Sequence, residues 1–183
     1  MFIIKDIKSK IEKLSPADFQ EFCDALISNY RSGQINSYGL KPGTGKTIKG
    51  TPDTYIRNEN GKYIFIEYTT QTDGIYNKLR DDIAKCLDKS KTKIDIADIE
   101  EIICCYTTAH LSPSENKNLH DLCKDNGVSL TIWGIDEIAT KALQCTHITA
   151  KYLMHLLKIL ALYFYTENLY SVALKNVTNY NKL

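Results

Sequence analysis

Two carboxylates carry most of the chemistry that can be read from this sequence. Asp53 follows a proline at the head of "TPDTYI", and Glu67 closes the apolar run "YIFI". Side chains alternate faces along a strand, so Tyr63, Phe65, Glu67, Thr69 and Gln71 share one face and Ile64, Ile66, Tyr68 and Thr70 the other. A carboxylate behind such an apolar run is unfavourable at a buried strand end unless it is paired or holds a cation. A turn at Asn58-Glu59-Asn60-Gly61 sets the region of Asp53 opposite that of Gln71, within one or two places of Glu67 and Thr69. Two carboxylates then meet at one end of a sheet. Their mutual repulsion is relieved by a hard divalent cation, Mg²⁺ or Mn²⁺. Such an ion lowers the pKa of a bound water and stabilises charge on a phosphodiester, so the expected chemistry is hydrolytic cleavage of nucleic acid.

A second motif competes for attention. Gly45-Lys46-Thr47 ends like a phosphate-binding loop, but G-x-x-x-x-G-K-[ST] needs its first glycine at position 40, which is Leu40, and Gly39 lies one residue too far. Gly50 and Pro52 follow where a helix should grow from the lysine, at a cost of about 1 and 3 kcal/mol in a helix interior. Nucleotide binding is therefore not expected here.

The positioning elements follow from local signals. Ser15-Pro16-Ala17-Asp18 opens a helix with a cap, a first-turn proline and an acid at the positive end of the dipole. Phe19, Phe22, Cys23, Leu26 and Ile27 continue it at three- and four-residue spacing to about Tyr30, with Gln20, Glu21 and Asp24 on its polar side. After a glycine- and polar-rich link the hairpin comes next. Ile75, Leu79, Ile83 and Leu87 then mark a helix running to Lys93 with one narrow apolar stripe, expected to lie across the sheet. "IEEIICCYTTA" is a buried strand, "SPSENKNLHDLCKDNG" a helix and "VSLTIWGIDEIA" a strand entering a short helix. Strand, helix and strand imply a parallel pair with a right-handed crossover.

At 183 residues, 43% apolar and 25% charged, the chain is sized for one globular domain with a helical appendage. The net charge of +1 gives no global pull toward polyanions, so any nucleic-acid footprint is local. The basic helix supplies one: Lys78, Arg80, Lys85, Lys89, Lys91 and Lys93 outnumber Asp81, Asp82 and Asp88. The six cysteines form no C-x-x-C pair and read as reduced core thiols, as in a cytoplasmic protein. The start "MFIIKDIKSK" lacks the form of a secretory signal. The apolar stretch from Tyr152 to Tyr165 is about 14 residues long, against about 20 for a bilayer span, and reads as a packing helix, so no membrane partner is expected. His110, His120 and Cys123 match no zinc spacing, and Trp133 reads as core or sheet-edge packing.

"GTPDTYI", a hairpin and "YIFIEYTTQ" together resemble the PD-(D/E)xK motif of the restriction-endonuclease-like superfamily, and the element order is similar to that fold from about Ser15 to Ala139. The narrower resemblance is to Mrr-like nuclease effector domains of bacterial antiphage defence proteins of the STAND ATPase type. It implies an α/β, three-layer core, a central mixed sheet flanked by helices, over residues 1–150, with a helical extension over 151–183. It implies a Mg²⁺- or Mn²⁺-dependent DNA endonuclease with Asp53 and Glu67 as metal ligands, Tyr68 lending its carbonyl, and Glu21 as an accessory acid. Thr69 stands where the family has lysine and cannot supply its positive charge. Either Gln71 orients the attacking water, or Lys46, Lys49, Lys78 or Lys85 reaches in, or the domain binds DNA without cutting it. Lys46, Lys49, Lys78, Arg80 and Lys85 are the expected DNA contacts. Cutting both strands implies two sites, hence a homodimer or higher oligomer. A third reading is an interaction domain of a larger protein.

Overall fold

The computed structural model describes residues 4–37, 51–108 and 110–153, with the backbone of residues 40–41 and 46–47. Helices α1 (Ile4–Ile11) and α2 (Pro16–Ile27) lead into β1 (Gln34–Ser37), a small ladder of β2 (Leu40–Lys41) and β3 (Lys46–Thr47), then β4 (Thr54–Arg57) and β5 (Tyr63–Thr69). Next come α3 (Ile75–Leu87), α4 (Lys89–Thr92), β6 (Ile99–Tyr106), α5 (Pro113–Lys124), β7 (Ser129–Trp133), α6 (Ile135–Gln144) and α7 (Thr146–Leu153). A single 3₁₀ turn, Ile96–Asp98, precedes β6.

Five strands form one mixed sheet in the order β1-β4-β5-β6-β7. β1, β4 and β5 are antiparallel neighbours, whereas β5, β6 and β7 run parallel. The parallel pairs are joined by α3 and α5, as the strand–helix–strand pattern requires. Period-two alternation divides the sheet cleanly. Ile56, Ile64, Ile66, Tyr68, Ile103 and Cys105 pack on one face with Phe19, Phe22, Leu26 and Ile138 from α2 and α6. Phe65, Ile102, Cys104 and Leu130 pack on the other with Leu79, Ile83 and Leu119 from α3 and α5. Helices therefore cover both faces of the mixed sheet, and the α/β architecture is the one expected.

Local signals act as read. Ser15 Oγ accepts the Asp18 amide to cap α2, and Ser112 with Glu115 forms a reciprocal capping box on α5. Gly61 turns the hairpin with φ 78°, a conformation favouring glycine. All six cysteines are free and buried. Trp133 is buried on edge strand β7. Among the described residues no helix is long and apolar enough to cross a membrane.

Three expectations need correction. The basic helix does not reach Lys93: α3 ends at Asp88, whose extended backbone breaks it and whose side chain caps the short α4. Gln20 and Asp24 are not on a solvated side of α2 but buried, and only Glu21 is exposed. The link after α2 contains strands, of which β1 extends the sheet as its edge. Lys46-Thr47 lie in β3 rather than at a helix start, which removes the phosphate-loop geometry. The helix α7 continues past residue 150 to Leu153, while Met154 to Leu183, most of the expected helical extension, lie outside the described residues.

Candidate active site

The hairpin register brings the two acids together. Thr54 pairs with Ile66 and Arg57 with Tyr63, leaving a loop at 58–62, so Asp53 falls opposite Glu67 itself rather than near Gln71. Their carboxyls hydrogen-bond each other. Tyr68 N–H donates to Asp53 Oδ2 at 3.2 Å, and Cys86 Sγ–H on α3 donates to Glu67 Oε1 at 3.1 Å. Burial, reinforced by the charge of Asp53, holds the Glu67 carboxyl well above the usual range. Burial also raises Asp53, against the opposing pull of the Tyr68 amide.

The pair lies in a cleft of about 840 Å³ at the carboxyl end of β5. Parallel strands diverge from their helices at this end, which is where α/β sheets bind ligands. Three acids, Asp53, Glu67 and Asp82, and three lysines, Lys78, Lys85 and Lys91, line it. Asp82 on α3 is 3% exposed and holds both neighbouring lysines. It pairs with Lys78 one turn before it and with Lys85 at 3.0 Å one turn after. Lys78 bears electrostatically on Asp53 and Lys85 on Glu67. The α3 helix thus delivers positive charge to the carboxylate pair that Thr69 does not.

The remaining expected residues divide between the cleft and elsewhere. Thr69 is buried in the cleft wall, and its Oγ1 accepts the Gln71 amide at 3.1 Å. Gln71 lines the exposed mouth, where its carbonyl accepts from Thr108 Oγ1 and its side-chain amide donates to the Asp73 carbonyl. Arg80 points away from Lys78, Asp82 and Lys85, because two residues advance a helix by more than half a turn; it pairs with Asp81 and covers Tyr76. Glu21 is exposed and is not among the cleft-lining residues, whereas Gln20 on the same helix is. Lys46 belongs to β3 and Lys49 lies outside the described residues.

Behind the acids is a buried polar cluster that pattern reading missed. Tyr68 crosses to the α2 face and donates its hydroxyl to Asp24 Oδ1. Asp24 Oδ2 accepts from Ser37 Oγ at 2.9 Å and from Thr54 Oγ1 at 3.4 Å. Gln20 Nε2 donates to Thr54 Oγ1 at 3.1 Å. Burial pushes Asp24 up to about 6, although these hydroxyls pull the other way. The available signal was spacing: Gln20 and Asp24 are four residues apart and flank the apolar stripe of Phe19 and Cys23.

The donor set fits a hard divalent cation. Two buried carboxyl groups face each other at the floor of a solvent-open cleft, so a cation between them would relieve their repulsion and favour the ionised form of both. Among the described residues no three His, Cys, Asp or Glu side chains converge on one point, so a cation here would have two protein carboxylates and would take its further ligands from water. Neither a protein-family model nor a curated protein matches this chain.

Proposed function

We propose that the chain is a metal-dependent DNA endonuclease domain of restriction-endonuclease-like fold, acting as the effector in a bacterial antiphage defence protein. The supporting observation is that Asp53 and Glu67 face each other in one cleft with the lysines of α3. The defence setting rests on the sequence resemblance.

Asp53 and Glu67 would hold Mg²⁺ or Mn²⁺, which when bound activates water and offsets negative charge on a phosphodiester. The Tyr68 amide fixes the Asp53 carboxylate, and the Cys86 thiol fixes one oxygen of Glu67. Lys85, beside Glu67, offers a positive charge to the developing phosphorane in the role left vacant at Thr69. Lys78 and Lys91 hold flanking phosphates by charge. Gln71 stands at the mouth, where its amide can orient an incoming water.

The test is conversion of plasmid DNA with Mg²⁺ or Mn²⁺, with Asp53→Ala and Glu67→Ala alongside. Cleavage by both variants at the parent rate rejects the assignment. One observation favours a second reading, a DNA-binding module without catalysis: Asp82 pairs with both α3 lysines and offsets part of their charge. It predicts salt-sensitive DNA binding with no calorimetric metal isotherm.

A further inference from the structure

A second, smaller cavity of about 100 Å³ shares Thr51 with the main cleft. Tyr55, Tyr63 and Phe65 line it along the hairpin beside Pro52, with Ile94 and Thr92 from the segment after α3 closing the other side; Phe65 is buried, and the Arg57 guanidinium lies 5.8 Å from the Tyr63 ring centroid. Tyr55 and Phe65 are direct cross-strand partners. The Tyr55 and Tyr63 rings are tilted with centroids 5.8 Å apart, and Tyr63 and Phe65 likewise at 6.1 Å. Their strand face is the one α3 packs against, yet α3 lies toward β6, and Tyr55 and Tyr63 stay half-buried. The two cavities also meet along α4, since Lys91 lines the cleft and Thr92 the aromatic cavity.

A ring-walled hollow adjoining a lysine-lined cleft matches a ligand that is flat and apolar in one part and anionic in the next. A nucleotide unit has that form. Bases stack on aromatic side chains whatever their identity, because each has a π-face. Paired bases in a duplex are stacked on their neighbours and cannot enter without being extruded. We propose that this cavity seats one unpaired nucleobase of the strand whose phosphates lie along Lys78, Lys85 and Lys91, so that the substrate is single-stranded or locally unpaired DNA. This rests on the nuclease reading of the neighbouring cleft.

The experiment uses the full chain without divalent metal, fluorescein-labelled oligothymidylate, a duplex of equal length and a single strand carrying 2-aminopurine. The single strand is expected to bind at least about ten-fold more tightly than the duplex, with quenching of 2-aminopurine. Tyr63→Leu keeps an apolar side chain but loses the π-face, and should weaken single-strand binding about ten-fold without changing duplex binding. Tyr63→Phe should bind like the parent. Ile94→Phe, which fills the hollow from its far side, should reproduce the Tyr63→Leu loss and guards against a folding defect in that variant. Equal affinity for both DNAs, unquenched 2-aminopurine, or an equal loss on both DNAs overturns the proposal. Preferential single-strand binding without metal-dependent cleavage supports the base cavity and removes the nuclease reading. Duplex cleavage indifferent to Tyr63→Leu and Ile94→Phe does the reverse.

Discussion

Asp53 and Glu67 stand opposite each other across the β4–β5 hairpin, with Asp53 also held by the Tyr68 amide. Two buried carboxyls so close to each other are a local cost to the metal-free fold. Glu67→Gln replaces an ionisable buried carboxyl with a neutral group of the same shape, so it should raise the melting temperature of the metal-free protein at neutral pH. The same change should abolish the rise in melting temperature that Mg²⁺ or Mn²⁺ gives the parent. Differential scanning fluorimetry with and without metal measures both effects, and a parent unaffected by metal would count against the site.

Lys85 on α3 and Lys91 on α4 should separate in their kinetics. Lys85→Ala, beside Glu67, is expected to lower kcat about 10²-fold, the scale of losing one preorganised stabiliser of transition-state charge. Lys91→Ala should leave kcat near the parent value and reduce the slope of log affinity against log salt by about 0.9, one phosphate contact. Single-turnover rates and a salt titration distinguish the two.

Asp82 restrains Lys78 and Lys85, being nearly buried between them. Asp82→Asn removes a negative charge from the cleft and releases both ammonium groups. DNA affinity at low salt should rise and kcat should fall, because the lysines lose the anchor that aims them. A fall in both together would reject the restraining role.

Asp24 makes stability depend on pH in a definite sense. Its folded-state pKa of about 6 exceeds the ordinary 3.8, chiefly through burial. The folded state therefore holds its proton through a range in which the unfolded chain has lost it. Stability should fall as pH rises from about 4 to about 6, by up to roughly 3 kcal/mol from this group. Asp53 and Glu67 act in the same direction. Asp24→Asn should flatten the profile and exceed the parent in stability at pH 7, which urea titrations across that range would reveal. Parallel profiles for parent and variant would exclude Asp24 as the source.

Gly33 is a structural control remote from this chemistry. Its φ is 119°, and an added Cβ would lie 2.6 Å from Ile56 Cγ2 and 2.8 Å from the Arg57 carbonyl oxygen. Gly33→Ala should destabilise the fold by roughly 1–3 kcal/mol, since the residue strains the backbone and forces β1 from β4. A denaturation midpoint equal to the parent's would contradict that packing.

Local features were legible along the chain, because their causes lie within a few residues. Ser15, Pro16 and Asp18 start α2, Asn58 to Gly61 turn the hairpin, and alternation sends Glu67 and Tyr68 to opposite faces. The two acids, Asp53 and Glu67, were legible for the same reason. Only the tertiary structure decided their pairing, since it depends on the five residues from Asn58 to Lys62 that set the register. It also decided which cations reach the acids. Lys78 and Lys85 enter the cleft while Arg80 leaves it, because the crossover helix settles on the sheet in one rotation about its own axis. Asp24 and Gln20 looked solvated by composition. Their burial arises from the Tyr68 and Thr54 hydroxyls, partners distant in sequence that satisfy polar groups which would otherwise be too costly to remove from water.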